Sequence, residues 1–305
     1  MRRYPTALIA LTLAGTVTVP RLADGTAVAA APSCPAPTAR VARNVAYVKK
    51  PVSPLQRLDV YAPARHGACK AAPVVMWLHG GGWQGGDKRA VYDKVKLFNG
   101  LGYVFVSVNY RLSAPLLADG RPMHPDHSND VGAAVAWIEH HIAGYGGDGT
   151  QIALLGHSAG AHLVALVGTD PTYIKRAGGA FESVRCVGSY DTESYNLVTR
   201  AKTRGGIIVD NAFGTDQALL RAASPINHLG DPAALPAFQI VERGTPDRTA
   251  SEQAFVDAVR AAGGTADVID AHALTHGQVN TRIGAAGDTV MTPKVKTFVT
   301  DCLDH

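Results

Sequence analysis

The sequence predicts an α/β fold, with a mostly parallel central sheet and helices on both of its faces. Short apolar runs rich in β-branched residues alternate with helix-patterned stretches, and such runs suit strands buried on both faces. The composition agrees, with 32 glycines and only 18% charged residues in 305. Those values fit a compact α/β domain and argue against a disordered or fibrous chain. No internal repeat or long linker interrupts the alternation, so residues 31–305 read as one domain.

The elements follow in order. Val41 to Val48 and Arg57 to Tyr61 read as an opening hairpin. Val74 to Leu78 is a buried run that ends at a glycine cluster, and Val104 to Val108 and Gln151 to Leu155 are two more. Cys186 to Ser189, Phe238 to Glu242 and Ala266 to Ile269 complete eight strands. Helical patterns lie between them at Lys88 to Asn99, Asn129 to Ile142, Ser158 to Val167 and Ser251 to Ala262. Gly100, Gly144 and Gly263 stand where helices stop, and Pro293 opens a last helix to Leu303. Residues 190–235 are less regular and read as a small cap between two strands.

The first thirty residues read as a signal peptide. Arg2 and Arg3 form a basic start, Thr6 to Val19 is apolar and uncharged, and Ala27-Val28-Ala29 supplies a small-residue cleavage site. The apolar run is short for a bilayer span, so an exported chain without stable membrane insertion is expected. Four cysteines remain: Cys34, Cys69, Cys186 and Cys302. None forms a close metal or redox pair, and an even count in an exported chain suggests disulfides. Of the three pairings available, Cys34–Cys69 with Cys186–Cys302 is preferred. The formal net charge of +4 is partly terminal. With no Lys/Arg run or basic stripe, nucleic acid is not an expected partner.

Gly156-His157-Ser158-Ala159-Gly160 fits G-x-S-x-G, after a buried strand and before a helical segment. That is the setting of a nucleophile on a sharp strand-to-helix turn, where bulk at either glycine would collide with the flanking elements. His79-Gly80-Gly81-Gly82-Trp83 follows the Val74 to Leu78 strand. Glycine lets backbone N–H groups approach a developing negative oxygen, and Gly81, Gly82 and Ala159 are the expected donors. A phosphate-binding turn is the competing reading, but Gly85-Gly86-Asp87-Lys88 does not complete a P-loop.

A serine hydroxyl needs a base, and His276 in Leu274-Thr275-His276-Gly277 is the candidate, with His272 as its rival. The base needs an orienting carboxylate. Asp247 in Gly244-Thr245-Pro246-Asp247 follows a strand and completes the order Ser158, Asp247, His276; Glu242 and Asp270 are the alternatives. His157 is expected to point away from the reaction. Trp83 is a candidate pocket wall, and Asp130 reads as a helix-start residue. His124-Pro125-Asp126-His127 is the densest His/Asp cluster and reads as a surface loop, so no metal and no cofactor is expected.

The chain resembles α/β-hydrolase carboxylesterases of the hormone-sensitive-lipase-like and feruloyl-esterase-like group. The matching pieces are Leu58 to Pro63, His79 to Trp83, Val108-Asn109-Tyr110-Arg111, Asp130, Tyr145-Gly146-Gly147-Asp148 and Gly156 to Gly160. The resemblance implies a cofactor-free serine esterase acting through an acyl-enzyme on a small or polymer-linked ester. The departure is Glu242-Arg243, which puts charge where the strand before Asp247 ordinarily ends in small residues. An amide or formamide hydrolase of the same fold, arylformamidase-like, is the alternative enzyme. A non-catalytic binding protein on a hydrolase scaffold is the alternative class.

Overall fold

A computed structural model describes residues 39–64, 70–114, 120–203, 206–230 and 235–304. The leader expected at residues 1–30, and Cys34 and Cys69, lie outside the described residues. Eight strands form one sheet: β1 (Arg40–Ala46), β2 (Arg57–Ala62), β3 (Ala72–Leu78), β4 (Val104–Val108), β5 (Gly147–His157), β6 (Val184–Tyr190), β7 (Ala237–Glu242) and β8 (Ala266–Asp270). Their order is β1-β2-β4-β3-β5-β6-β7-β8. β2 runs antiparallel to β1 and β4, and every other pairing is parallel. The helices are α1 (Lys94–Gly100), α2 (Asp126–His141), α3 (Ala159–Thr169), α4 (Thr172–Arg176), α5 (Leu197–Arg200), α6 (Gly206–Phe213), α7 (Gln217–Ala222), α8 (Pro246–Ala261), α9 (His276–Arg282) and α10 (Met291–Leu303).

The two-residue period of a strand divides the core between the faces of the sheet. On β3, Val74, Met76 and Leu78 join the cluster that packs α2, α3 and α8. Val75 and Trp77 point the other way, into the cluster of Phe98, Val279, Val295 and Val299 from α1, α9 and α10. Both faces are therefore covered, which is why the central strands read as unbroken apolar runs. A disulfide joins Cys186 on β6 to Cys302 on α10, the pairing preferred for these two residues.

Three expectations shift. The helix expected from Lys88 starts at Lys94, because Lys88 is buried with its Nζ 2.6 Å from Asp59 Oδ1 and 2.8 Å from Asn44 Oδ1. The helix expected from Ser251 starts at Pro246, with Thr245 at its N-cap position. The His124 to His127 segment is not a surface loop. His127 is fully buried in the first turn of α2, its Nε2 2.9 Å from Ser113 Oγ.

Candidate active site

The site lies at the carboxyl edge of the sheet, where open α/β sheets bind ligands. β5 ends at His157, and Ser158 turns the chain into α3 with φ 57° and ψ −118°. An L-residue held at positive φ stores strain, and the local packing enforces it. A Cβ on Gly156 would lie 2.5 Å from the Gly160 carbonyl oxygen, and one on Gly160 2.5 Å from that of Leu78. A Cβ on Gly80 would press to 2.9 Å from Ser158 Cβ. The glycines thus let three backbone segments converge on the serine.

Register determines what stands beside it. His157 pairs with Tyr190 across β5 and β6, and the Ser158 N–H donates to the Tyr190 carbonyl at 3.0 Å. The residue after each partner leaves the sheet at the same place, so Asp191 emerges next to Ser158. His276 arrives from the other side, as the first residue of α9. Thr275 caps that helix, its side chain accepting from Gln278 N–H while the Gln278 side chain accepts from Thr275 N–H. Buried His157 supports the same turn, its Nε2–H donating to the His276 carbonyl at 2.9 Å with the rings 4.5 Å apart. Burial, reinforced by the neighbouring His276, holds the His157 pKa down to about 4.

Ser158 Oγ lies 3.0 Å from His276 Nε2, and His276 Nδ1 lies 2.6 Å from Asp191 Oδ2. The serine and the histidine expected from the sequence meet. The expected acid is corrected: the carboxylate on His276 is Asp191, not Asp247. Asp247 is exposed in the first turn of α8, where a negative charge complements the helix dipole. Glu242 and Asp270 do not reach His276 either, and Asp270 instead pairs with His272 at 2.8 Å, in solvent. Chain order alone could not separate Asp191 from Asp247, since either gives serine, acid, histidine. The signal available was the position of Asp191 directly after the strand next to the nucleophile strand.

Arginines occupy the ground around the acid. Arg243 Nε–H donates to Asp191 Oδ2 at 2.5 Å, and Arg248 Nη2 bonds the other oxygen. Burial pushes the Asp191 pKa up, but the His276 hydrogen bond and the Arg248 charge outweigh it and hold the group below the usual carboxylate range. Glu252 accepts from Arg248 Nε and the Arg243 N–H, yet its burial raises its pKa to about 8.

On the opposite wall, Gly81 has φ 123° and Gly82 φ 60°. Neither the N–H groups of these two glycines nor that of Ala159 donates to an acceptor among the described residues. A cleft of about 240 Å³ opens over Gly82 and Ala159, with Gly81 adjoining Gly82 in the chain. Ser158, Asp191 and His276 form its floor, and Trp83, Arg200 and Ile208 contribute walls, the last two from α5 and α6. Trp83 is itself mostly buried, its ring edge-on to His162 and Phe213. His79 stacks on Tyr110 at 4.7 Å, and Asp130 accepts a two-pronged pair from Arg111, so both hold framework in place. Ligand atoms of His157, Asp191 and His276 lie within 4.8 Å of one another, close enough to share an ion. His157 Nε2, His276 Nδ1 and Nε2, and Asp191 are instead committed to the hydrogen bonds above.

The chain resembles known proteins in both sequence and fold. It is 31% identical to esterase LipQ of Mycobacterium tuberculosis over 247 residues, covering 76% of this chain and 56% of that protein. It is 32% identical to esterase LipC of the same organism over 225 residues, covering 68% and 53%. It thus spans about half the length of these curated relatives. Among solved structures, esterase B of Lactobacillus rhamnosis superposes with a TM-score of 0.70 at 20% identity, covering 87% of each chain. Esterase 2 of Thermogutta terrifontis gives 0.64 at 22% identity, covering 88% of this chain and 94% of that one. These likenesses establish the α/β-hydrolase fold. The family model BD-FAE matches residues 58–254, well over half the sequence, and the chain belongs to the BD-FAE family.

Proposed function

We propose that this protein is a serine hydrolase that cleaves carboxylic esters through an acyl-enzyme, and that it works outside the cell. The observation that carries the reading is the hydrogen-bond chain Ser158–His276–Asp191 beside three backbone N–H groups that have no acceptor among the described residues. In the first half-reaction His276 Nε2 takes the proton of Ser158 as Oγ attacks the ester carbonyl. Gly81, Gly82 and Ala159 donate to the oxygen that becomes negative, each such bond contributing about 3–4 kcal/mol at the transition state. His276 then protonates the departing alcohol. Water, deprotonated by the same imidazole, attacks the acyl-enzyme and frees the acid. Asp191 keeps Nδ1 protonated and offsets the imidazolium charge. Export is supported by the basic, apolar and small-residue order of residues 1–30.

The test is labelling with a fluorophosphonate together with hydrolysis of p-nitrophenyl acetate by the purified protein. One label per chain on Ser158 is expected, and Ser158→Ala should lower kcat by about 10⁴-fold or more with the fold intact. Hydrolysis that survives the substitution, or a label elsewhere, overturns the assignment.

A further inference from the structure

Among the described residues, one guanidinium in the cleft has both terminal nitrogens unspent. Three arginines line it, Arg200, Arg243 and Arg248. Arg248 is committed on every side: Nε to Glu252, Nη2 to Asp191 and Nη1 facing Glu193 at 3.7 Å. Arg200 bonds Thr203 and Glu193. Arg243 uses only Nε, on Asp191; its Nη1 and Nη2 make no hydrogen bond among the described residues. Its side chain is 17% exposed, held by the buried carboxylate yet open to the cleft. The charges do not cancel around it. Asp191 and Glu193 face the three arginines, and buried Glu252 resists ionisation at neutral pH.

Resting on the esterase reading, we infer that Arg243 recognises a carboxylate on the substrate and makes the enzyme selective for anionic esters. Asp191 Oδ2 is shared by Arg243 and His276, so a single oxygen separates the guanidinium from the imidazole that must protonate the leaving group. Arg243 lines the same cleft as Ser158 and His276, and the anion is placed on the alcohol half of the ester, the half that His276 Nε2 protonates as it leaves. A guanidinium fork anchored at Nε presents its two terminal nitrogens to carboxylate oxygens, the bidentate geometry a lysine cannot reproduce. With the acid just after β6, the residue just after β7 carries this cation.

The experiment compares kcat/KM for 4-acetoxybenzoate with that for 4-acetoxybenzamide, which share an acyl group and differ in the charge of the leaving phenol. A preference of about tenfold for the carboxylate is expected, shrinking as salt rises. Arg243→Gln lowers both values, because it also removes a partner of Asp191, but should bring their ratio to about one. Arg243→Lys should restore part of the ratio, and serves alone if the glutamine variant does not fold. A ratio near one in the native enzyme, or a preference unchanged in either variant, overturns the inference while leaving the esterase reading standing. Absence of both turnover and fluorophosphonate labelling overturns the two together.

Discussion

Asp191→Asn removes the charge facing His276 Nδ1 while preserving size and shape, and it separates the two candidate acids. The asparagine presents an amide where the imidazole needs an acceptor, and it leaves Arg243 and Arg248 without their shared anion. A fall in kcat of about 10²–10⁴-fold is expected, measured on a short-chain ester. Asp247→Ala should stay within about twofold of the native value, since an exposed residue of a first helical turn contributes a few tenths of a kcal/mol. The reverse pattern would return the role to Asp247. The serine and the histidine could be read from the sequence because each carries a local mark: a five-residue turn for one, a late loop after a strand for the other. Asp191 also follows a strand, but so does Asp247, and that mark alone does not choose between them. The place of Asp191 is set by the pairing of His157 with Tyr190, a contact between residues 33 positions apart that a linear reading cannot see.

At the scale of elements, the strand-to-helix turn at Ser158 depends on bare backbone. Gly160→Ala would drive its Cβ to 2.5 Å from the Leu78 carbonyl oxygen and 2.6 Å from that of His79. No rotamer change relieves a clash with backbone, so α3 must shift away from β3. A loss of about 1–3 kcal/mol is expected in urea unfolding, with kcat falling more steeply than stability because the shift moves Ser158 and Ala159 together. A Gly160→Ala protein with native activity would show that the close approach is dispensable. The second element-scale constraint is the disulfide between β6 and α10. It closes a span of 116 residues, and opening it by Cys186→Ala with Cys302→Ser should cost about 4 kcal/mol, read as a lower Tm. The central strands were legible because a strand buried on both faces announces itself by composition, whereas exposed β1 was marked by its alternation and its place before β2. Helix starts were less so: Lys88 reads as part of a helix, but it is spent on Asp59 and Asn44, partners from β1 and β2.

For the whole molecule, the distribution of buried imidazoles sets how the fold should respond to acid. His124 and His157 have pKa values lowered to about 4, and His127 and His162 to about 3, with burial the largest cause in each. An unfolded histidine titrates near pH 6.5. Between that pH and the folded values the unfolded chain binds more protons than the native one, so stability is full above about 6.5 and falls as pH drops towards 4. Each histidine contributes a slope of about 1.4 kcal/mol per pH unit. Glu252 acts in the opposite sense: its folded pKa near 8 means the native state holds the extra proton down to the usual carboxylate range, which offsets one of the four. Asp87, lowered to about 2, adds to the acid loss only below about pH 4. The net expectation is a decline on the order of 4 kcal/mol in unfolding free energy between pH 6.5 and pH 5, measured by urea titration at fixed salt. His162→Phe should reduce that slope by about one proton, since this ring is fully buried against Trp83 and Phe213. A flat profile over this range would mean that these rings are solvated or charged in the native state. The packing of Phe213 from α6 against His124, His127 and His162 would then have to be wrong as well.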